Sequence, residues 1–214
     1  MKFSIEELRP IRNGMTISRD SRLGNSTKVT YFSMGKDTSI SQESYDRMTM
    51  YIGASGWGEF IIGEEPKTIK LLPDELLIVP TGTLCGMQTS NGIVYTEIIC
   101  TGKDINMNAN VKTNEVFALK NLISYEEGSI ANMDVVSTPD MKYVLMAFDE
   151  GTGLTPHRAP GNAIVFALEG KATIGYEGKD YELSEGECFR FEKNGLHSVT
   201  ANGKFKMALL LVLE

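Results

Sequence analysis

Histidine is nearly absent from this chain. Its 214 residues hold two, His157 and His197, beside one tryptophan and three cysteines. Each scarcity excludes something. Cys85, Cys100 and Cys188 are odd in number and lack metal-type spacing, so free thiols in a reducing cytoplasm are expected. Positive charge is short as well: 21 Lys and Arg stand against 28 Asp and Glu, a net −7. That balance lacks the basic face a nucleic-acid partner requires. No apolar run approaches the ~18 residues of a membrane span. The opening "MKFSIEELRP" has no apolar signal core, so neither membrane insertion nor export is expected. Helical signal is sparse. "EVFALKNLIS" (115–124) reads as a short helix, and "SIEELRP" (4–10) as one turn stopped by Pro10. "GASGWGEF" carries Gly53, Gly56 and Gly58 without the strand-to-helix context of a phosphate cradle, and reads as a turn.

What is present is β-structure. Apolar residues make up 42% of the chain, enough for a full-sized core. Short alternating runs punctuated by glycine recur at 27–34, 46–53, 93–100, 142–148 and 204–213, the pattern of strands separated by turns. The run around Ile164, Phe166 and Leu168 is apolar on both parities, as is 46–53. Such strands are covered on both faces, by the other half or by a second copy of the chain, which makes a homodimer a candidate assembly. The polar stretch 101–114 reads as a connection.

The two halves resemble each other. Residues 54–87 align with 168–199, matching Gly56 to Gly170, Glu75 to Glu187 and Cys85 to His197 while the offset drifts from 114 to 112. A repeat this long implies duplication of one all-β unit. The expected organisation is an N-terminal barrel over 1–100, a linker with a short helix over 101–130, and a C-terminal barrel over 131–214.

The C-terminal repeat resembles the cupin superfamily, and the pair of repeats its duplicated, bicupin form. The family's first motif, G-x5-H-x-H-x3-E-x6-G, runs here through Gly151, His157, Ala159, Ala163 and Gly170. Every spacing fits, but alanine replaces the second histidine and the glutamate. In the second motif, G-x5-P-x-G-x2-H-x3-N, Gly186 and His197 match. Glu192, Asn194 and Ala201 stand for the proline, glycine and asparagine. The N-terminal half keeps Pro80 and Gly82 and puts Cys85 at the histidine position. Counting back from Gly56 places Thr49, Tyr45 and Glu43 at the remaining ligand positions, whereas Gly35 implies a register two residues different. The resemblance implies two double-stranded β-helix barrels of jelly-roll type. It does not name a reaction, because cupins span oxygenases, isomerases, decarboxylases, storage proteins and sensors.

The residues narrow the chemistry. Catalytic metal sites need about three protein ligands, and this barrel offers His157 and His197. No tightly bound cofactor is expected, and a weakly held divalent transition metal is the most the pair allows. Ala159 and Ala163 would leave room in the interior. His157 and His197 would form the polar end of a ligand site there, with Phe189 and Phe191 its apolar wall. A small anionic or oxygen-rich metabolite is the expected ligand. The alternatives are a divergent metal-dependent enzyme using the two histidines, and a barrel pair with no ligand. The N-terminal barrel, lacking histidine, is expected to be scaffold, with Cys85 a small buried apolar residue.

Overall fold

A computed structural model describes residues 1–24, 27–102 and 104–213. The strands are β1 (Lys2–Phe3), β2 (Thr16–Asp20), β3 (Lys28–Met34), β4 (Thr38–Ser44), β5 (Thr49–Gly56), β6 (Gly58–Ile62), β7 (Lys67–Leu71), β8 (Glu75–Val79), β9 (Leu84–Thr89) and β10 (Ile93–Ile99). They continue as β11 (Asn106–Met107), β12 (Val116–Ala118), β13 (Ile130–Ser137), β14 (Met141–Phe148), β15 (Gly153–Arg158), β16 (Asn162–Tyr176), β17 (Lys179–Ser184), β18 (Cys188–Phe191) and β19 (Leu196–Val212). The expected strands are found, with their ends moved by one to several residues. Run 204–213 is the second half of the 17-residue β19. One helical turn, α1 (Ile5–Leu8), sits where Pro10 requires it to stop.

The chain divides into two compact units. One holds Ile5–Thr101 and Ala109–Ala118, the other Met1–Ser4, Gly102–Asn108 and Leu119–Glu214. In the first, a sheet ordered β12-β8-β5-β10-β3-β2 accompanies a second ordered β4-β9-β6-β7. In the other, β1-β18-β16-β19-β14-β13-β11 forms one path, with β15 beside β19 and β17 beside β16. All pairs are antiparallel. Each unit is a jelly-roll barrel with its own apolar core, one around Tyr51, Phe60 and Tyr95, the other around Phe189, Phe191 and Phe205.

The duplication is written into the irregularities. In the β4–β9 pair the register breaks between Ile40 and Glu43, and in β15–β19 between Leu154 and His157, the same place in the repeat. The β5–β10 bulge at Tyr95 recurs in β16–β19 at Met207. Gly56 and Gly170 both adopt positive φ, and a Cβ on either would stand 2.1 Å from a carbonyl oxygen, that of Gly92 or Lys204. Only glycine fits there. Glu75 and Glu187 each accept the backbone N–H of the residue three positions earlier, Leu72 or Ser184, at 2.8 and 2.9 Å.

Stretch 115–124 is a correction. It is not a short helix: Val116–Ala118 is strand β12, and a single 3-10 turn follows at Leu119–Asn121. Val116 and Phe117 are strand formers, and the free edge of β8 supplies a partner for their backbone, so pairing outweighs helical periodicity. The connection 101–114 likewise contributes a strand, β11 on β13.

Candidate functional site

His157 lies on β15 and His197 at the start of β19, directly opposite each other in the ladder. Their ring centroids are 4.1 Å apart, with planes at 52°. Nδ1 of His157 is 2.8 Å from Thr155 O, and Nδ1 of His197 is 3.1 Å from Gly195 O. A carbonyl oxygen only accepts, so each Nδ1 carries the proton and each neutral ring keeps its lone pair on Nε2. His157 is exposed and His197 half-buried. Burial first, and the nearby His157, lower the His197 pKa against the opposing pull of Gly195 O. The ring of Phe191 lies 4.2 Å from that of His197.

The sequence signal for this pair was spacing alone, and the structure brings the two residues together. The turn between Glu192 and His197 keeps its shape although the family glycine is Asn194. Asn194 has φ +66, and Gly82, its counterpart, has φ +76. Asparagine tolerates that left-handed region better than most residues, which explains the exchange.

Ala159 and Ala163 are both 2% exposed. Ala163 pairs with Phe191 in the β16–β18 ladder. Phe189 and Phe191 pack 4.9 Å apart, and the Tyr176 ring meets both edge-on. All four expected lining residues therefore belong to one apolar cluster, with the imidazoles at its rim. A groove of about 200 Å³ runs beside His197, bordered by Tyr176, Lys179, Asp180 and Ser198.

Metal fits this arrangement poorly. The cupin pattern calls for donors at the Ala159 and Ala163 positions, and alanine has none. Glu169 accepts a hydrogen bond from Tyr125 Oη at 2.8 Å and lies 4.0 Å from Lys206 Nζ, so it is engaged elsewhere. Among the described residues no three His, Cys, Asp or Glu side chains are grouped to hold an ion.

The N-terminal barrel holds polar chemistry that the sequence reading passed over. A cavity of about 90 Å³ opens between Phe32, Tyr45, Tyr51, Phe60, Tyr95 and Glu97. Cys85 is on its wall, and burial pushes its thiol up to about 11, so it is a thiol at neutral pH rather than a nucleophile. Glu97 is 6% exposed, and burial holds its carboxyl up at about 7. The signal was available: "IVYTEIIC" carries one charged residue at the same parity as Ile93 and Tyr95, which are core. Ladder registers make Glu97 the counterpart of Leu209, and Tyr51, Phe60 and Tyr95 the counterparts of Val165, Ile174 and Met207, while Tyr45 O accepts from Gly82 N–H as Ala159 O does from Asn194 N–H. The two barrels share a backbone plan and differ in what lines it.

Two repeats of one double-stranded β-helix barrel define the fold as a duplicated, bicupin-type jelly roll. Residues 144–213 match the family model described as the cupin domain. A cupin 2 conserved barrel domain protein from Leptotrichia buccalis is 24% identical, with a TM-score of 0.87 over 99% of this chain and 96% of that one. Salicylate 1,2-dioxygenase from Pseudoaminobacter salicylatoxidans, in adducts with gentisate, is 11% identical, with a TM-score of 0.67 over 96% and 76%. Oxalate decarboxylase from Bacillus subtilis is 12% identical, with a TM-score of 0.58 over 99% and 76%. At these identities the likeness is one of fold. No curated protein matches the chain in sequence. No helix among the described residues is long and apolar enough to cross a membrane.

Proposed function

We propose that the C-terminal barrel is a binding module that holds a small anionic or oxygen-rich metabolite at the His157–His197 mouth. The observation that carries this reading is the fixed tautomer of both rings. With each Nδ1 tied to a carbonyl, each Nε2 is an acceptor when neutral and a donor when protonated. Phe191 orients the His197 ring, Phe189 backs it, and buried Ala159 and Ala163 keep the rim free of bulkier polar side chains. Arg158, exposed on the same strand, adds positive charge near the mouth, while Asp180 and Glu177 oppose it. An anion bound at the pair favours its protonated form, so affinity rises as pH falls from about 8 to 6. The three cysteines are buried and form no disulfide, which supports a reducing, cytoplasmic setting.

Isothermal titration with malonate and gluconate at pH 6 and 8 tests this. At least one should bind severalfold tighter at pH 6, and His197→Ala should abolish the difference. Binding that is indifferent to both His197→Ala and His157→Ala would place the ligand elsewhere.

The second reading is a divergent oxygenase, isomerase or decarboxylase with His157 and His197 as metal ligands. The folds of the dioxygenase and the decarboxylase favour it, and the donor set weighs against it. Elemental analysis of protein purified without chelator should find well under one equivalent of iron, nickel, manganese or zinc. A full equivalent lost in His157→Ala would reverse the order of the two readings.

A further inference from the structure

The Glu97 carboxyl is buried in the barrel, with Glu97 6% exposed. Among the described residues no group donates a hydrogen bond to it. The titratable groups that face it come from six places. Lys28 on β3 supplies positive charge from an exposed position. Tyr51 on β5, Tyr95 on β10 and Cys85 on β9 are kept protonated, chiefly by burial. Tyr45, ahead of β5, is shifted the same way, and Glu43 on β4 adds negative charge beside it. From β6 and β8 come Phe60, Leu77 and Val79, which do not titrate.

The rings of Phe32 and Tyr95 stack at 5.1 Å, and Tyr51 packs tilted against Phe60 at 4.7 Å. Aromatic faces carry negative potential and attract cations most strongly where water is excluded. The cavity therefore combines two features that favour positive charge, a buried carboxyl and a lining of aromatic rings. An anion would be repelled by both. A neutral apolar group would leave the carboxyl unpaired, at a cost. At about 90 Å³, the space equals about three waters at ~30 Å³ each, the scale of an ammonium or small methylated ammonium head. None of this exists at the equivalent positions of the C-terminal barrel, which carry Val165, Ile174, Met207 and Leu209.

We propose that the N-terminal barrel binds a small organic cation, a primary or methylated ammonium group, between the rings of Phe32, Tyr45, Tyr51, Phe60 and Tyr95 and the carboxylate of Glu97. Binding requires the ionised carboxylate. Since burial holds that group at about 7, the cation displaces a proton, and affinity rises with pH. The direction is opposite to that of the histidine pair, so the two sites are separable in one protein.

Tetramethylammonium is the probe, with the neutral near-isostere tert-butanol as control, titrated calorimetrically into the full chain at pH 6 and 8. One site is expected, with affinity about tenfold higher at pH 8 and with release of about half a proton near pH 7, read from buffers of different ionisation enthalpy. Glu97→Gln should weaken binding at pH 8 at least tenfold and remove its pH dependence, and His197→Ala should change neither. The proton count on the unaltered protein serves if Glu97→Gln fails to fold. The proposal is overturned by tert-butanol binding as tightly at pH 8, by binding without proton release, by retention of affinity in Glu97→Gln, or by the absence of saturable binding at millimolar probe. Failure of malonate and gluconate to bind would touch only the C-terminal reading.

Discussion

Glu97 and His197 pull stability in opposite directions with pH. The Glu97 carboxyl binds its proton more tightly in the folded barrel, at about 7, than at the ordinary 4.5. Its contribution is fully present below about 4.5 and is lost as pH rises through about 7. The shift corresponds to on the order of 3 kcal/mol. His197 is depressed by burial, so the folded state resists its protonation, and stability falls as pH drops through the ordinary value of about 6.5. Urea unfolding at pH 5, 6.5 and 8 reads both. Glu97→Gln should flatten the loss of stability toward pH 8, and His197→Ala the loss toward pH 5. If the alkaline slope survives in Glu97→Gln, another group titrates there.

Among the elements, the two glycine turns and the second-motif turn make the sharpest contrast. Gly170→Ala would force a left-handed backbone on alanine and drive its Cβ into the Lys204 carbonyl. The expected cost is roughly 3 kcal/mol or more, and Gly56→Ala should behave alike because its surroundings repeat. Asn194 occupies positive φ without such a clash. Asn194→Gly should be close to neutral, and Asn194→Ala should cost about 1 kcal/mol. Chemical denaturation midpoints rank the four. A Gly170→Ala protein as stable as Asn194→Gly would mean that the β16–β19 bulge can relax.

At the level of the whole molecule, the barrels exchange edge strands. Strand β1 pairs Lys2 with Phe189 and Phe3 with Cys188 on β18. Strand β12 pairs Val116 with Leu77 and Phe117 with Leu76 on β8, the equivalent positions. Each edge is thus closed by the residues that precede the other barrel in the chain. Lys2 also reaches Glu187 at 2.8 Å. Removing residues 1–4 should destabilise the C-terminal barrel by about 1–2 kcal/mol, with hydrogen exchange quickening in β18 while β8 stays protected. Fragments 1–100 and 101–214 expressed apart would each lack an edge strand and expose unpaired backbone, so they should aggregate singly and recover when co-expressed. Monomeric, soluble fragments would refute that dependence.

Alternation of apolar residues, punctuating glycines and motif spacing settled from sequence alone that the chain is all-β, duplicated and cupin-like, because strand period and turn chemistry are local. The His157–His197 pairing was legible for the same reason, since both sit at fixed distances from motif glycines. The edge-strand exchange was not. β12 is three residues within a run of helical periodicity, and pairing with the edge of β8 decides the outcome. Nor was the cavity around Glu97. Its aromatic walls come from four strands and the chain just ahead of β5, and a glutamate in an apolar run shows its parity but not its neighbours. That convergence, and the burial that holds the carboxyl at about 7, exist only once the barrel has closed.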